Sequence, residues 1–306
     1  MNQRSPHLGI IPGISKKFSK EWTLEMFRKT CVNRYFELEA ARIHNTGVMK
    51  LPIYLSLGSE HVPAAIATVS HEFLIFVQHR GHSWYLSFGG EMRALRDELL
   101  HRETGCAKGM GGSASIHDPK IGMYGHSGLL GDQVPIAVGA ALGSGKNVLA
   151  VMGDASAEED YVAGALAFAA TKKAPVLAIV DDNDLSILTH VATRRSWGID
   201  EMARAFGMTT VDITDDPWLI AHYTGEFLKK LPALINIRTC RHFWHQGTGN
   251  DGAPEWNRFE LIKKELIHLG LEKESCIIEE EMKEKVLKLW EEQLQKPSPS
   301  KGVKVL

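Results

Sequence analysis

Two short apolar runs dominate the hydrophobic pattern of the chain, and each of them ends in acidic or amide side chains. Residues 148–154 read VLAVMGD and residues 176–183 read VLAIVDDN. Continuous runs of Val, Leu and Ile of this length are typical of strands buried on both faces of a parallel sheet. The segment between them begins with acids, is rich in alanine and ends in two lysines and a proline, which predicts a helix. The pattern therefore predicts a βαβ unit that brings Asp154 and Asn183 to the same edge of one sheet.

The remaining periodicity extends this unit into an α/β domain. It predicts helices at 22–45, 91–104 and 133–143, strands at 73–78, 209–213 and 233–238, a C-terminal helical region at 257–296 and a polar tail at 297–306. No repeat or linker divides the chain, so we expect a single domain over 1–306, with three layers and a mostly parallel central sheet. Residues 1–20 contain prolines and no acids, and we expect them to form a flexible arm.

Two irregular segments interrupt the periodic ones. Residues 105–135 contain eight glycines, and residues 241–256 contain two histidines. Long irregular segments inside a compact domain are usually functional or disordered. Because strands and helices flank the glycine-rich segment, we expect it to contribute to function.

Composition excludes several classes of partner. The net charge is −2 without a strongly basic block, which gives no indication of nucleic acid binding. No apolar run approaches the roughly 20 residues that a membrane span needs. The four cysteines are scattered without a CxxC pair, so neither a disulfide framework nor a zinc site is indicated. We expect a cytoplasmic protein, with an organelle presequence as the less favoured alternative.

The candidate chemistry lies at the predicted strand ends rather than in a nucleotide-binding loop. GAALGSGKN (139–147) lacks the first glycine and the final Ser or Thr of a P-loop, and no GxGxxG follows a strand. Asp154, Asn183 and a nearby carbonyl instead offer the oxygen ligands that Mg²⁺ prefers beside a diphosphate. The HRGH sequence after the strand at 73–78 offers His79, Arg80 and His82 as phosphate partners. The alternatives remain open: a helix cap and a turn at the strand ends, an ordinary core or surface role for each histidine, and a surface ion pair for the arginine.

Several motifs occur in the same order as in a known family. LSLGSEHVPAAI (55–66), QHRGHSWYLSFG (78–89), the glycine-rich segment and the GDAS and VDDN ends of the βαβ unit resemble segments of one group of enzyme subunits. This group comprises the alpha subunits of thiamine-diphosphate-dependent 2-oxo acid dehydrogenases, which act on pyruvate, branched-chain 2-oxo acids or acetoin. The resemblance runs from about residue 22 to 299. It implies a thiamine-diphosphate-binding fold with extra helices at both termini.

The resemblance also implies roles for particular residues. Mg²⁺ would be bound by Asp154, the side chain of Asn183 and the carbonyl of Leu185. Thiamine diphosphate would contact His79, Arg80, Gly128, Leu130, Asp154, Ala155, Ser156, Asn183, Leu185 and His245. The residues with an implied part in catalysis are His245, His82 and Tyr54.

The family's reaction implies partners as well. It consists of decarboxylation of a 2-oxo acid, or cleavage of an acyloin, followed by transfer of the acyl or aldehyde unit to an acceptor. A separate beta subunit would complete the site in a heterotetramer of two alpha and two beta chains. The acceptor would be a lipoyl-bearing protein or another acyl carrier.

Some positions depart from the family pattern. Ala155 replaces the third residue of GDG, Asp182 replaces the first Asn of NN, and Asp132 stands where the family has a small apolar residue. Tyr54 replaces a histidine that faces the reacting centre, and Trp244 replaces a glycine beside His245. A phenol with an ordinary pKa near 10 cannot shuttle protons at pH 7 as imidazole does. We therefore hypothesise that the acyl acceptor is not a lipoyl arm.

Two other functions are consistent with the same residues. A split transketolase-like N-terminal half would use a similar diphosphate-binding domain. A non-catalytic scaffold subunit would keep the fold for assembly alone, and the departures at Ala155, Tyr54 and Asp132 favour that alternative.

Overall fold

The central feature of the molecule is a parallel sheet of six strands. The computed structural model describes residues 4–125 and 127–294, so the tail predicted at 297–306 lies outside the described residues. The strands are β1 (Leu74–Val77), β2 (Met123–Tyr124), β3 (Val148–Gly153), β4 (Val176–Asp182), β5 (Leu185–Ser186), β6 (Thr189–His190), β7 (Thr209–Thr214) and β8 (Ala233–Arg238). The sheet has the order β2-β1-β3-β4-β8-β7, and β5 and β6 form a separate antiparallel pair.

Helices cover both faces of this sheet. They are α1 (Lys20–His44), α2 (His61–Val69), α3 (His82–Ser87), α4 (Met92–Leu99), α5 (Gln133–Ser144), α6 (Asp160–Lys172), α7 (Val191–Arg194), α8 (Ile199–Ala205), α9 (Pro217–Phe227), α10 (Arg258–His268) and α11 (Glu272–Leu294). Alternate strand residues face two separate cores: Leu149 and Leu177 belong to the larger one, Ala150 and Ala178 to the smaller. The predicted three-layer α/β fold is confirmed.

The predicted βαβ unit forms as expected. Strand β3 pairs in parallel with β4 from Val148↔Val176 to Gly153↔Asp181, and α6 connects them. Apart from half-buried positions at their carboxyl ends, both strands are buried, as their uninterrupted apolar sequence predicts. Their carboxyl ends therefore lie side by side at one edge of the sheet.

The N-terminal segment packs against the body of the molecule, in contrast to the flexible arm that the sequence led us to expect. The backbone N–H of Thr214 donates to the Leu8 carbonyl at 2.9 Å, and Arg258 Nη2 donates to the Pro6 carbonyl at 2.7 Å. Ile14 is buried in the larger core. Leu8 and Gly9 thus contact the carboxyl end of the outer strand β7 at the edge of the sheet.

The glycine-rich segment folds around a buried carboxylate. Glu98 is fully buried and accepts hydrogen bonds from the backbone N–H groups of Ala107, Gly109, Gly111 and Gly112, at 2.8 to 3.0 Å. Glu98 lies in the last turn of α4, and the helix predicted to continue to 104 stops at Leu99 and gives way to this loop. The segment later contributes β2 at the sheet edge, which the sequence did not predict.

Within the described ranges 4–125 and 127–294, no helix is both long and apolar enough to cross a bilayer. The cytoplasmic location stays a prediction.

Candidate active site

The carboxyl edge of the sheet opens into a cavity of about 200 Å³. Asp154 follows β3 and Asn183 follows β4, and both residues line it. The other lining residues are Val77, Gln78, His79, Arg80, Trp84, Leu130, Val151, Met152, Gly153, Ala155, Ser156, Asp181, Leu185, Ser186, Ile187 and His245. The cavity thus combines apolar walls with a few polar groups, as small-molecule sites commonly do.

The turn after β3 is fixed by a side chain from the end of β1. Gln78 Oε1 accepts from the backbone N–H of Gly153 at 2.9 Å and from the hydroxyl of Ser156 at 2.6 Å. These bonds hold residues 153–156 against the cavity wall. The Ser156 hydroxyl is therefore already engaged within the protein, although Ser156 lines the cavity as the resemblance implied.

Asp154 is a buried acid with a perturbed pKa. Its exposure is 2%, and its Oδ2 accepts from Arg194 Nη2. Burial raises the pKa of Asp154 to about 6, the nearby charge of Asp182 contributes to the rise, and Arg194 opposes it. The carboxylate therefore lies in a place where further positive charge would be favourable.

Asp154 belongs to a cluster of acids and arginines. Arg194 Nη1 donates to Glu158 Oε1 at 2.6 Å, and Arg195 also pairs with Glu158. Asp182 lies 2.6 Å from Arg238 Nη1 and 3.7 Å from Arg195 Nη2. With Asp212, which Arg238 also binds, four acids (Asp154, Glu158, Asp182, Asp212) face three arginines (Arg194, Arg195, Arg238), so the cluster keeps a formal charge of −1.

Asp182 replaces an asparagine of the family pattern, and the cluster explains how its charge is accommodated. Besides Arg238, the side-chain amide of Asn236 donates to Asp182 Oδ2 at 3.1 Å. Arg238 also binds Asp212 through Nε and Nη2, both at 3.0 Å. The charge of Asp182 is therefore balanced by Arg238, and its carboxylate is hydrogen-bonded to Asn236.

Arg80 supplies a cation on the opposite wall. Its Nη1 donates to the Leu55 carbonyl at 2.6 Å and its Nη2 to the His245 carbonyl at 3.2 Å. Burial lowers the pKa of Arg80 to about 10, and Arg241 contributes to the fall. The guanidinium nevertheless remains protonated at neutral pH, and it is placed to bind an anion in the cavity.

Three rings gather beside Arg80. The ring centroids of Tyr54 lie 5.0 Å from His79 and 5.6 Å from His245, and the two histidine rings lie 5.0 Å apart. Burial and the charges of Arg80 and Arg241 lower the pKa of His245 to about 4. His245 is therefore a neutral imidazole at pH 7, which can accept a proton or a hydrogen bond.

His82 lies away from the other predicted site residues. The ring is fully buried and does not line the cavity. Its Nδ1 lies 3.0 Å from Glu37 Oε1 and its Nε2 lies 2.9 Å from Ser113 Oγ. Both ring nitrogens are thus occupied inside the core, where His82 links α1 to the glycine-rich segment, and its part in catalysis stays a prediction.

The two predicted residues of the glycine-rich segment have different surroundings. Leu130 lines the cavity, and its carbonyl accepts from the Tyr161 hydroxyl. Gly128 lies in an exposed turn outside the cavity wall, with a φ of +104°. The implied contact of Gly128 with a cofactor stays a prediction.

The predicted metal ligands meet at the cavity, but protein groups alone do not complete a metal site. Asn183 Oδ1 accepts from the backbone N–H of Leu185 at 3.1 Å, and both residues line the cavity with Asp154. In the described parts of the chain, no three His, Cys, Asp or Glu side chains converge as metal ligands do. A divalent ion here would need amide, carbonyl and ligand oxygens, which is how Mg²⁺ is commonly held beside phosphates.

Sequence reasoning missed Arg194, Arg195 and Gln78. The arginine pair occurs in TRRS after the hairpin, a sequence that is typical of a solvated turn. The signal that was present is an unusual acid at Asp182 close to the metal-ligand position, since a buried acid requires a cation.

Comparisons with known proteins give the family. The model of the dehydrogenase E1 component family matches residues 30–241. The pyruvate dehydrogenase E1 component subunit alpha of Rickettsia bellii is 28% identical over 242 residues, which cover 74% of this chain and 73% of that protein. The corresponding protein of Rhizobium meliloti is 30% identical over 186 residues, covering 59% of this chain and 53% of that one.

Solved structures agree on the fold. Transketolase from Campylobacter jejuni superposes with a TM-score of 0.57 at 16% identity, over 91% of this chain and 49% of that one. The R525L mutant of transketolase from Pichia stipitis gives a TM-score of 0.53 at 12% identity, over 90% and 47% of the respective chains. The chain thus spans about half the length of these transketolases, and at such identities the similarity concerns the fold alone. Its motifs and the family match together show that the chain belongs to the dehydrogenase E1 component family, as an alpha subunit of the thiamine-diphosphate-dependent 2-oxo acid dehydrogenase type.

Proposed function

We propose that the chain is the alpha subunit of an enzyme that uses thiamine diphosphate and Mg²⁺ to decarboxylate a 2-oxo acid or cleave an acyloin. The enzyme transfers the resulting acyl or aldehyde unit to an acceptor and works with a separate beta subunit. The observation that carries the proposal is the meeting of Asp154 and Asn183, at the ends of adjacent parallel strands, with Arg80 in one cavity. This donor set fits a metal diphosphate, because it offers hard oxygens on one wall and a cation on the other.

Each residue has a defined task in this proposal. Asp154, Asn183 and the Leu185 carbonyl would hold the metal, and the backbone at Ala155 and Ser156 would face the diphosphate. Arg80, protonated at neutral pH, would bind phosphate oxygens. When bound, thiamine diphosphate supplies an electron sink for the carbanion that CO₂ loss leaves behind.

The ring cluster places a neutral imidazole at the cavity. Burial and Arg80 lower the pKa of His245 to about 4, so at pH 7 its ring is unprotonated and acts as a hydrogen-bond acceptor rather than as a strong base. Leu130 and Trp84 contribute apolar surface to the cavity wall. His79 joins the same wall beside Tyr54.

The exposed surface of helices α5 and α6 is the evidence for a protein partner. Ile136 on α5 and Phe168 on α6 are 55% and 49% exposed, and Leu142 on α5 is also exposed. Helix α5 has no charged residue, and α6 has none between Asp160 and Lys172. Exposed apolar surface of this kind is characteristic of interaction sites. We assign it to the beta subunit in a heterotetramer of two alpha and two beta chains.

The direct test is reconstitution with a beta chain encoded beside this one. The complex should release CO₂ from a 2-oxo acid only when thiamine diphosphate and Mg²⁺ are both present. Asp154→Asn should abolish the activity, because it removes the charged metal ligand. The matched control is Asp200→Asn, which should remain active. Asp200 lies on α8, does not line the cavity, and pairs with Arg204 at 2.9 Å.

A non-catalytic scaffold subunit is the second candidate. The pairing of Asp154 with Arg194 favours it, since a protein side chain already neutralises the acid that would bind the metal. Calorimetry with thiamine diphosphate and Mg²⁺, in the presence of the beta chain, separates the two candidates. Measurable binding supports the enzyme, and its absence supports the scaffold.

The acyl acceptor is a separate question that concerns Tyr54. This ring lies against His79 and His245 where the family pattern has a histidine. We propose that the acceptor is not a lipoyl arm, because the phenol does not replace imidazole as a proton shuttle. Acylation of a lipoyl domain by the reconstituted complex at the rate of its decarboxylation step would overturn this proposal.

A further inference from the structure

Arg194 pairs with Asp154, the acid that the proposed function assigns to the metal. It is the last residue of the four-residue helix α7, and its side chain is 12% exposed. Nη2 donates to Asp154 Oδ2, and Nη1 donates to Glu158 Oε1 at 2.6 Å. Its Nε is buried without a hydrogen-bond partner. The arginine is thus bound by two acids while one of its own donors remains unsatisfied.

A divalent ion and Arg194 compete for the same carboxylate. Arg194 Nη2 already lies on Asp154 Oδ2, so an added ion on that oxygen would meet like charge at close range. Burial of Asp154 strengthens both attraction and repulsion, because screening by water is weak there. Occupation by one cation therefore opposes occupation by the other.

The local structure allows Arg194 to leave. It follows the short hairpin of β5 and β6, in which Ile187 and Leu188 are exposed. Leu185 and Ile187 of the same hairpin line the cavity. Arg194 also keeps a second partner in Glu158 when its bond to Asp154 is broken. Release of Asp154 therefore requires only a shift of a surface segment and leaves the sheet intact.

We propose that Arg194 is an internal counter-ion that holds Asp154 in the cofactor-free chain and that the divalent ion must displace during loading. The inference rests on the proposed function, since it concerns how this chain takes up its metal. Arg194 is a positioning residue in this scheme: it sets the metal concentration at which the cofactor binds and keeps Asp154 paired before then.

The test measures cofactor binding rather than turnover. Thiamine diphosphate binding to the chain in complex with its beta subunit is followed by tryptophan fluorescence, with Trp84 in the cavity wall, at increasing Mg²⁺ concentrations. Arg194→Gln should lower the half-saturating Mg²⁺ concentration about ten- to hundredfold, because a charge-assisted hydrogen bond no longer has to be broken. Arg194→Lys keeps the charge and should remain close to the wild-type chain.

Arg204→Gln is the matched control, since Arg204 is a mostly exposed arginine paired with an acid on α8. It should bind the cofactor with the wild-type Mg²⁺ requirement, and thermal unfolding of each variant confirms that it is folded. If Arg194→Gln also keeps the wild-type requirement, the inference is overturned while the proposed function stands. If neither the wild-type chain nor Arg194→Gln binds the cofactor in an Mg²⁺-dependent way, both are overturned. Binding that survives Asp154→Asn unchanged would likewise overturn the inference.

Discussion

Asp215 and Asp154 stand at comparable places in the sheet but have opposite pKa shifts. Asp215 directly follows β7 and Asp154 directly follows β3, and both side chains are buried. Arg258 Nε donates to Asp215 at 2.7 Å, and Trp256 Nε1 donates to it at 3.0 Å. Burial would raise the pKa of Asp215, but Arg258 and the other partners lower it to about 2. The pKa of Asp154 is instead raised to about 6.

The difference lies in the neighbours rather than in burial. Arg258 binds Asp215 and also reaches the Thr214 hydroxyl and the Pro6 carbonyl, so this acid fastens the N-terminal segment to the C-terminal helices. Asp154 shares its arginine with Glu158 and lies close to Asp182. An acid that is fully compensated by the protein stabilises the fold, whereas an incompletely compensated acid in a cavity remains available to an external cation.

The largest effect that separates these acids is on stability. Asp215→Ala should lower the free energy of unfolding by about 3–5 kcal/mol, because it leaves Arg258 buried and unpaired. Asp154→Ala should cost about 1–2 kcal/mol, because Arg194 keeps Glu158 as a partner. Urea unfolding of the cofactor-free chain at neutral pH measures both. Equal losses would contradict the distinction between a structural acid and a site acid.

The pH dependence of the contribution of Asp215 to the free energy of unfolding is a somewhat smaller effect. The folded-state pKa of Asp215 is about 2, below the ordinary value of 3.8. The stabilisation from Asp215 is therefore present above about pH 4 and is lost as the pH falls through about 2, with a total of about 2–3 kcal/mol. Urea unfolding of the wild-type chain and of Asp215→Asn across this range tests it. The variant should lack this part of the acid-dependent loss, and parallel curves would contradict the assignment.

The sequence predicted those parts of the site that local pattern determines. The strands β3 and β4 follow from uninterrupted apolar runs, and α6 follows from an alanine-rich segment bounded by charge. A parallel pair places the residues after its strands at one edge, so Asp154 and Asn183 could be expected together. Nothing beyond the periodicity of the chain was needed for this step.

Side-chain partners that lie far apart in the sequence could not be predicted from this local pattern. Arg194 reaches Asp154 across 40 positions of sequence, and TRRS gives no sign of which acid it binds. His82 looks like a phosphate ligand in HRGH, yet Glu37 from α1 and Ser113 from the glycine-rich segment take both of its ring nitrogens. In each case the partner is brought in by tertiary packing, which a pattern along the chain does not encode.

The smallest predicted effect comes from the neighbour that makes Asp154 differ from Asp215. Asp182→Asn should change the free energy of unfolding by about 1 kcal/mol or less, because relief of its repulsion with Asp154 offsets the lost pairing with Arg238. Asp212→Asn is the control: it weakens the two 3.0 Å bonds to the same arginine without relieving that repulsion, so it should cost more. Urea unfolding at neutral pH compares the two variants. A larger loss for Asp182→Asn than for Asp212→Asn would mean that Asp182 serves the fold as Asp215 does, and that the raised pKa of Asp154 has another origin.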